Sequence, residues 1–406
     1  MLSVAEQMKI LRRGAVEILP EGELEKKLEN SVKGDKPLIV KQGFDPTAPD
    51  IHLGHTVGLR KLKQFSDLGH QVVVIVGDYT AQVGDPSGRS ATRPQLTKEE
   101  VDRNAATYLE QFFKVLDVKR VQVRRNGEWF ERMTFADILK LAGKMTLARM
   151  LERDDFTKRW QAEAPISIHE LLYPLMQAYD SVAIQADVEI GATEQKFNLL
   201  TGRQIQELYG VQPQVALTLP VLEGIDGVQR MSKSIGNYIG VSEPPREIFG
   251  KIMSIPDRLI VSYFTLLTDH DEASVKEMEK AMADGQNPME FKKELGRVIV
   301  GTYYDGEVAE QAQQEFERVF AQKGLPDEIP LCEFESDEES VWLPRVLADL
   351  EIFAGTGAAI RMIKQGGIYL DNERISDPDS KIDVDREYLL RVGKRNFYRL
   401  TGKKKK

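Results

Sequence analysis

Gly43-Phe44-Asp45-Pro46-Thr47-Ala48-Pro49-Asp50-Ile51-His52-Leu53-Gly54-His55 lies between a short apolar run and an amphipathic helix, and its reading decides the fold. The run Pro37-Leu38-Ile39-Val40 has the character of a buried strand, and Leu59, Leu62, Phe65 and Leu68 recur at helical spacing until Gly69. A helix therefore begins beside the two histidines. Its unpaired backbone N–H groups and the positive end of its dipole point into the crevice beyond the strand, where a nucleotide's phosphates bind. Gly54 has no side chain to keep another molecule off the backbone. His52 and His55 can project together toward phosphate oxygens, as neutral donors or as cations. Two satisfied loop histidines are the bland alternative. Zinc is a poorer reading, because the chain has 5 His and 1 Cys and no cysteine lies near the pair.

Working outward, Gln71-Val72-Val73-Val74-Ile75-Val76-Gly77 is a continuous apolar run, as expected of a parallel strand buried on both faces. Strand, helix and strand imply a right-handed crossover and an α/β, doubly wound, Rossmann-like parallel sheet. Asp85 and the basic loop Arg89 to Arg93 follow its carboxyl end, the functional side of such sheets. Tyr173, Gln177 and Asp180 share one stripe of a helix whose other residues are mostly apolar, so they aim into a pocket or out to solvent. Val188 to Gln195 repeats the strand-to-helix pattern, and Gly210 to Leu222 leads to a last strand. Gly224, Gly227 and Gly236 flank Arg230-Met231-Ser232-Lys233-Ser234, a cationic loop able to close on a triphosphate or, read blandly, a solvated surface loop.

At 406 residues the chain has room for two or three cores. Its longest aliphatic run, Val72 to Val76, is too short to span a membrane, the N-terminus lacks a signal-peptide segment, and Cys332 is its single cysteine, so a cytoplasmic protein is expected. The net charge of −9 argues against a protein that coats nucleic acid over its whole surface. Arg386 to Lys406 nevertheless carries nine Lys or Arg against Glu387 alone, an RNA-facing patch or a solubilising tail. The first 35 residues are polar and helix-forming. Residues 98–160 read as mixed helix and short strand with no obvious chemistry. Residues 1–245 are expected to form the nucleotide-binding domain and 246–325 a separate helical domain with a charged pattern and Asn287-Pro288 as a helix start; 326–340 resemble a linker, and 341–402 form a small α+β module before the basic tail 403–406.

The ordered pair of stretches around His52 and Arg230 resembles the HIGH and KMSKS signatures of class I aminoacyl-tRNA synthetases. With Tyr173 to Asp180, the whole chain is similar to the bacterial-type tyrosyl-tRNA synthetases, and the terminal module resembles a small RNA-binding domain of a ribosomal small-subunit protein. The resemblance implies a homodimer, its insertion within 98–160, acting on tyrosine, ATP with Mg2+, and tRNA(Tyr), with no protein-bound cofactor, no resident metal and no membrane. His52, His55, Arg230, Lys233, Arg89 and Arg93 would act on the phosphates. Gly43, Asp45, Thr47, Gly54, Gly191, Glu194, Met231, Ser232 and Ser234 would complete the ATP site. Asp85, Tyr173 and Gln177 would hold the substrate ammonium, Asp180 the phenol hydroxyl and Gln195 the carboxylate. The chain departs from the family pattern at Lys41, where a substrate-touching tyrosine is common, at Ala192 and Glu194 beside Gln195, and at Arg230, where the motif begins with lysine.

A nucleotidyltransferase with an HxGH motif, a non-catalytic RNA-binding relative and a tryptophan enzyme are the competing readings. The helical and terminal segments oppose the first, and intact His52, His55 and Lys233 oppose the second. Asp180 favours a phenol over an indole, which offers only a donor.

Overall fold

The computed structural model describes residues 2–47, 50–87, 96–321, 329–371, 373–393 and 396–404. The chain divides into two compact units, Met1–Glu310 and Gln311–Lys406, with the boundary inside the helix Gly306–Phe316.

Six strands make the sheet of the first unit: β1 (Glu17–Leu19), β2 (Ile39–Phe44), β3 (Gln71–Val76), β4 (Val121–Arg125), β5 (Val188–Ala192) and β6 (Val215–Leu219), in the order β1-β6-β5-β2-β3-β4. All pairs are parallel except the edge pair β1–β6. From β2 the chain winds outward through β3 and β4, then returns to build β5 and β6 on the other side, the doubly wound arrangement the sequence implies. Val72 to Val76 are buried as the apolar run requires. The helix Leu53–Asp67 covers β2, β3 and β5 and ends before Gly69, whose φ of 92° suits a residue without a side chain. Its Leu59, Leu62 and Phe65 are fully enclosed, each worth about 1.5–3 kcal/mol of burial.

Two expectations are corrected here. The N-terminal segment is not purely helical, because Glu17 to Leu19 pairs with β6 and closes that edge of the sheet. Residues 98–160 are not without chemistry, because their short strand β4 extends the parallel sheet and delivers Asn126 and Trp129 to its carboxyl end. The helices Pro245–Ser254, Ile260–Leu267, Glu272–Ala283 and Pro288–Tyr303 belong to the same compact unit as the sheet. Asn287 caps the last of them by accepting the Met289 N–H (3.1 Å).

The second unit holds β7 (Leu331–Ser336), β8 (Ser340–Trp342), β9 (Ile368–Leu370), β10 (Glu373–Ile375), β11 (Lys381–Asp383), β12 (Glu387–Val392) and β13 (Asn396–Lys404). Five form a sheet in the order β10-β9-β12-β13-β7, while β8 and β11 make a separate ribbon. The hairpin β12–β13 turns at Gly393 (φ 64°), and the helices Leu343–Asp349 and Thr356–Lys364 bury Leu343, Leu347 and Ile363 against Ile368, Leu390 and Leu400. The expected linker 326–340 is also corrected: β7 lies within it and pairs in parallel with β13 from Leu331 to Ser336. Its acidic, proline-containing composition masked a strand whose partner is distant in sequence.

Candidate active site

Strands β2 and β5 are joined at only two register pairs, Val40–Val188 and Lys41–Glu189. Beyond Lys41 they share no ladder, and a cavity of about 820 Å³ opens between Gln42, Gly43 and Phe44 on one side and Ile190, Gly191 and Ala192 on the other. This is the switch point of the sheet, where the winding reverses and ligands bind. Of the expected site residues in the described chain, all those of the two signatures, the Tyr173 stripe, Asp85 and the 191–195 turn line this cavity. Arg89 and Arg93 lie outside the described residues.

The histidines sit at the cavity mouth as part of the helix cap. The Gly54 N–H donates to His52 Nδ1 and the His52 N–H donates to His55 Nδ1, both at 3.2 Å. Burial and the cations of the neighbouring loop lower His52 to about 2 and His55 to about 4, so both rings are neutral. With Nδ1 accepting, the proton of each neutral ring resides on Nε2, which makes both rings donors and removes the cationic alternative. Gly54 serves this cap: a Cβ there would meet the His52 ring at 3.0 Å.

The loop Arg230 to Ser234 covers the same end. It is anchored by the Met231 N–H to the Leu222 carbonyl (2.8 Å) and the Ser232 N–H to Asn237 Oδ1 (2.8 Å), and the Leu53 N–H donates to the Ile239 carbonyl (2.9 Å). Arg230 donates to both oxygens of Glu194 (3.0 and 3.1 Å), and Lys233 donates to the Asp50 carbonyl oxygen (2.7 Å). Glu194 thus holds the arginine that stands in place of the usual lysine, so two departures from the family pattern meet in one contact. Burial lowers the Lys233 ammonium, with Asp50 opposing. Gly227 and Gly236, at φ of 68° and 77°, bound the loop on each side.

The other end of the cavity is acidic and cross-linked. Tyr173, Gln177 and Asp180 project from the helix Tyr173–Ile184. The Tyr173 hydroxyl donates to Asp45 Oδ2 (2.8 Å), and burial beside Asp45 and Asp85 keeps it neutral well above its usual range. Asp45 Oδ1 accepts from Thr80 (2.8 Å). Asp85 accepts the Ser87 N–H (2.8 Å), Arg153 (3.3 Å) and the Gln195 amide (2.7 Å). Asn198 Nδ2 then bridges Gln195 Oε1 and Gln177 Oε1, each at 2.9 Å, and Gln177 Nε2 donates to Glu189 Oε1 (3.0 Å). A continuous chain of donors and acceptors therefore runs from Arg153 to Glu189. It fixes both glutamine amides, because their N–H groups must face carboxylates.

Asp180 is fully enclosed. It accepts from Trp129 Nε1 (3.0 Å) and Asn126 Nδ2 (3.4 Å), and burial raises it to about 7 against the pull of Lys41 and these donors. Lys41 does not line the cavity; its ammonium pairs with Glu189 (2.9 Å) with both side chains 1% exposed. Asn126, Trp129, Arg153, Glu189 and Asn198 are the supporting residues that sequence reasoning missed. Asn126 and Trp129 had a usable signal, a polar residue and an indole directly after the strand-like run Val121 to Arg125. Arg153 and Asn198 had none.

A parallel sheet with these two signatures at its switch point defines a class I tRNA synthetase, and residues 33–321 match the family described as tRNA synthetases class I (W and Y). The chain is 52% identical to the tyrosine–tRNA ligase of Moorella thermoacetica over 98% of this chain and 96% of the relative, and 52% identical to that of Thermotoga maritima over 98% of each. Among solved structures it is similar to the tyrosyl-tRNA synthetase of Archaeoglobus fulgidus complexed with L-tyrosine (25% identity, TM-score 0.64, 77% of this chain and 100% of that one). The chain belongs to the tyrosine–tRNA ligase family.

Proposed function

We infer that this site joins tyrosine to ATP, giving tyrosyl-adenylate and pyrophosphate, and then passes the tyrosyl group to the 3′ end of tRNA(Tyr). The carrying observation is the polarity of one cavity, with enclosed acids at one end and the capped histidines with the Arg230 and Lys233 cations at the other. The substrate carboxylate is itself the nucleophile at the α-phosphorus, so the protein needs only to position the reactants and stabilise charge. The acidic end takes the amino acid: Asp85, Tyr173 and Gln177 receive its ammonium, Asp180 its phenol hydroxyl, and Gln195 orients its carboxylate. ATP enters as its Mg2+ complex, a substrate, over Gly43, Asp45, Thr47, Gly54 and Gly191. His52 and His55 donate Nε2–H to its phosphates. Arg230 and Lys233 exchange Glu194 and Asp50 for the departing pyrophosphate, whose charge grows as the bond breaks.

The exposed Phe135, Leu139, Leu147, Trp160 and Ile168 support a homodimer built through this part of the chain. The basic residues Arg391, Arg399, Lys403 and Lys404 of the β12–β13 hairpin support tRNA binding by the second unit. No helix among the described residues is long and apolar enough to cross a membrane. Similarity to bacterial tyrosine–tRNA ligases supports a cytoplasmic protein. Pyrophosphate exchange measured with each of the twenty amino acids, followed by charging of tRNA, tests the assignment. Exchange dependent on tyrosine alone is expected; equal exchange with tryptophan would overturn the amino-acid assignment.

A further inference from the structure

The Lys41–Glu189 pair stands at the point where the β2–β5 ladder ends and the cavity begins. Both side chains are enclosed, yet neither the nucleotide nor the amino acid can touch Lys41, which lies behind the cavity wall. An ion pair in such a place is costly to keep and contributes little to stability over a neutral pair of the same size. Its contacts show what it serves. Glu189 accepts from Lys41 (2.9 Å), Gln177 Nε2 (3.0 Å), the Ser181 hydroxyl (3.2 Å) and Gln214 Nε2. Lys41 also donates to the Gln177 carbonyl oxygen (3.2 Å), on the helix that carries Asp180.

We propose that Lys41 and Glu189 are positioning residues for amino-acid selection: Glu189 fixes the Gln177 amide, and Lys41, bound to the Gln177 carbonyl on Asp180's helix, supplies the counter-charge to the residue that receives the substrate hydroxyl. This rests on the placement of the phenol at Asp180. The pair takes over the task of a hydroxyl at position 41 without contacting the substrate. Facing Asp180 are Lys41 from β2, Glu189 from β5, Tyr173 from its own helix, and the neutral donors Asn126 and Trp129 from the turn after β4. Of the charged pair, Lys41 favours the ionised form more strongly than Glu189 opposes it.

The test is the pH dependence of KM for tyrosine in pyrophosphate exchange, with KM for ATP measured beside it. Lys41→Met should move the acid limb of the tyrosine profile upward by about one pH unit, a roughly tenfold higher KM near neutrality that recovers in alkali. Glu189→Gln should move it downward. Opposite displacements distinguish charge tuning from a structural defect, which would impair both variants alike at every pH. If the single variants do not fold, Lys41→Met/Glu189→Gln leaves no orphan ion and should still show a smaller upward displacement with KM for ATP unchanged. A limb that stays at its wild-type position in the variants that fold would overturn the proposal. Asp180→Ala separates the two levels: if it keeps the wild-type preference for tyrosine over phenylalanine, the phenol placement fails; if it loses that preference while the limbs stay fixed, only the role of the pair fails.

Discussion

The Tyr173 hydroxyl donates to Asp45 Oδ2 across 2.8 Å, tying the helix Tyr173–Ile184 to the loop that leaves β2. Because that hydroxyl stays protonated, it is a donor to Asp45 while its oxygen remains able to accept from an ammonium group. Tyr173→Phe should therefore raise KM for tyrosine much more than KM for ATP. A hydrogen bond to a charged group is worth about 1.5–3 kcal/mol, so kcat/KM should fall roughly ten- to a hundredfold. Steady-state exchange with each substrate varied in turn checks this; equal changes in both KM values would sink it.

Lys233→Ala should slow adenylate formation by about two to three powers of ten and leave tyrosine binding nearly unchanged. The ammonium is held by the Asp50 carbonyl, and in the proposed reaction it passes to the departing pyrophosphate, so its effect should fall on the transition state rather than on the bound amino acid. Pre-steady-state measurement of the adenylate burst decides; an unaltered rate constant would rule out the role.

The second enclosed histidine site gives a stability prediction. His70 accepts the Leu38 N–H at Nδ1 and bonds Gln7 Oε1 through Nε2 (2.9 Å), and burial lowers it from 6.5 to about 4. Below pH 6.5 the unfolded chain binds a proton that the folded chain refuses. The stability this group confers is thus present above that pH and is lost on acidification, by about 1.4 kcal/mol per pH unit down to the folded value. Urea midpoints at about pH 7.5 and about pH 5 should show a smaller acid loss for His70→Gln than for wild type. An identical loss would mean that His70 titrates normally in the fold.

A chain ending at residue 328 should retain pyrophosphate exchange and lose most tRNA charging, since every residue of the cavity precedes Ile239. The cut falls before β7 because a chain ending at Ser340 would keep that strand without its partner β13, an open edge prone to association. Binding of tRNA by the full chain should weaken steeply with salt. Equal charging by both lengths would refute a role for the second unit.

The sheet and both signatures were legible because they are local: buried parallel strands have continuous apolar runs, and a helix start has its own chemistry. Tyr173, Gln177 and Asp180 were legible through helical spacing on an otherwise apolar helix. What escaped depends on distant partners. Strand β1 has three residues and borrows its identity from β6, and β7 from β13. Arg153 gains meaning only from Asp85 and Asn198, which the fold brings to it across long stretches of chain. Lys41 stood out in the sequence as a departure, but its partner Glu189 could be found only once the register of β2 and β5 was known.

The capped histidines carry one consequence for how the reaction is timed. With each Nδ1 lone pair committed to a backbone N–H, neither imidazole can collect a proton during adenylation. The step exchanges one P–O bond for another between a carboxylate and a phosphate, and nothing in its proton inventory changes. Adenylate formation should therefore proceed in heavy water at nearly its ordinary rate, a solvent isotope effect close to unity, unlike an enzyme that relies on a histidine base.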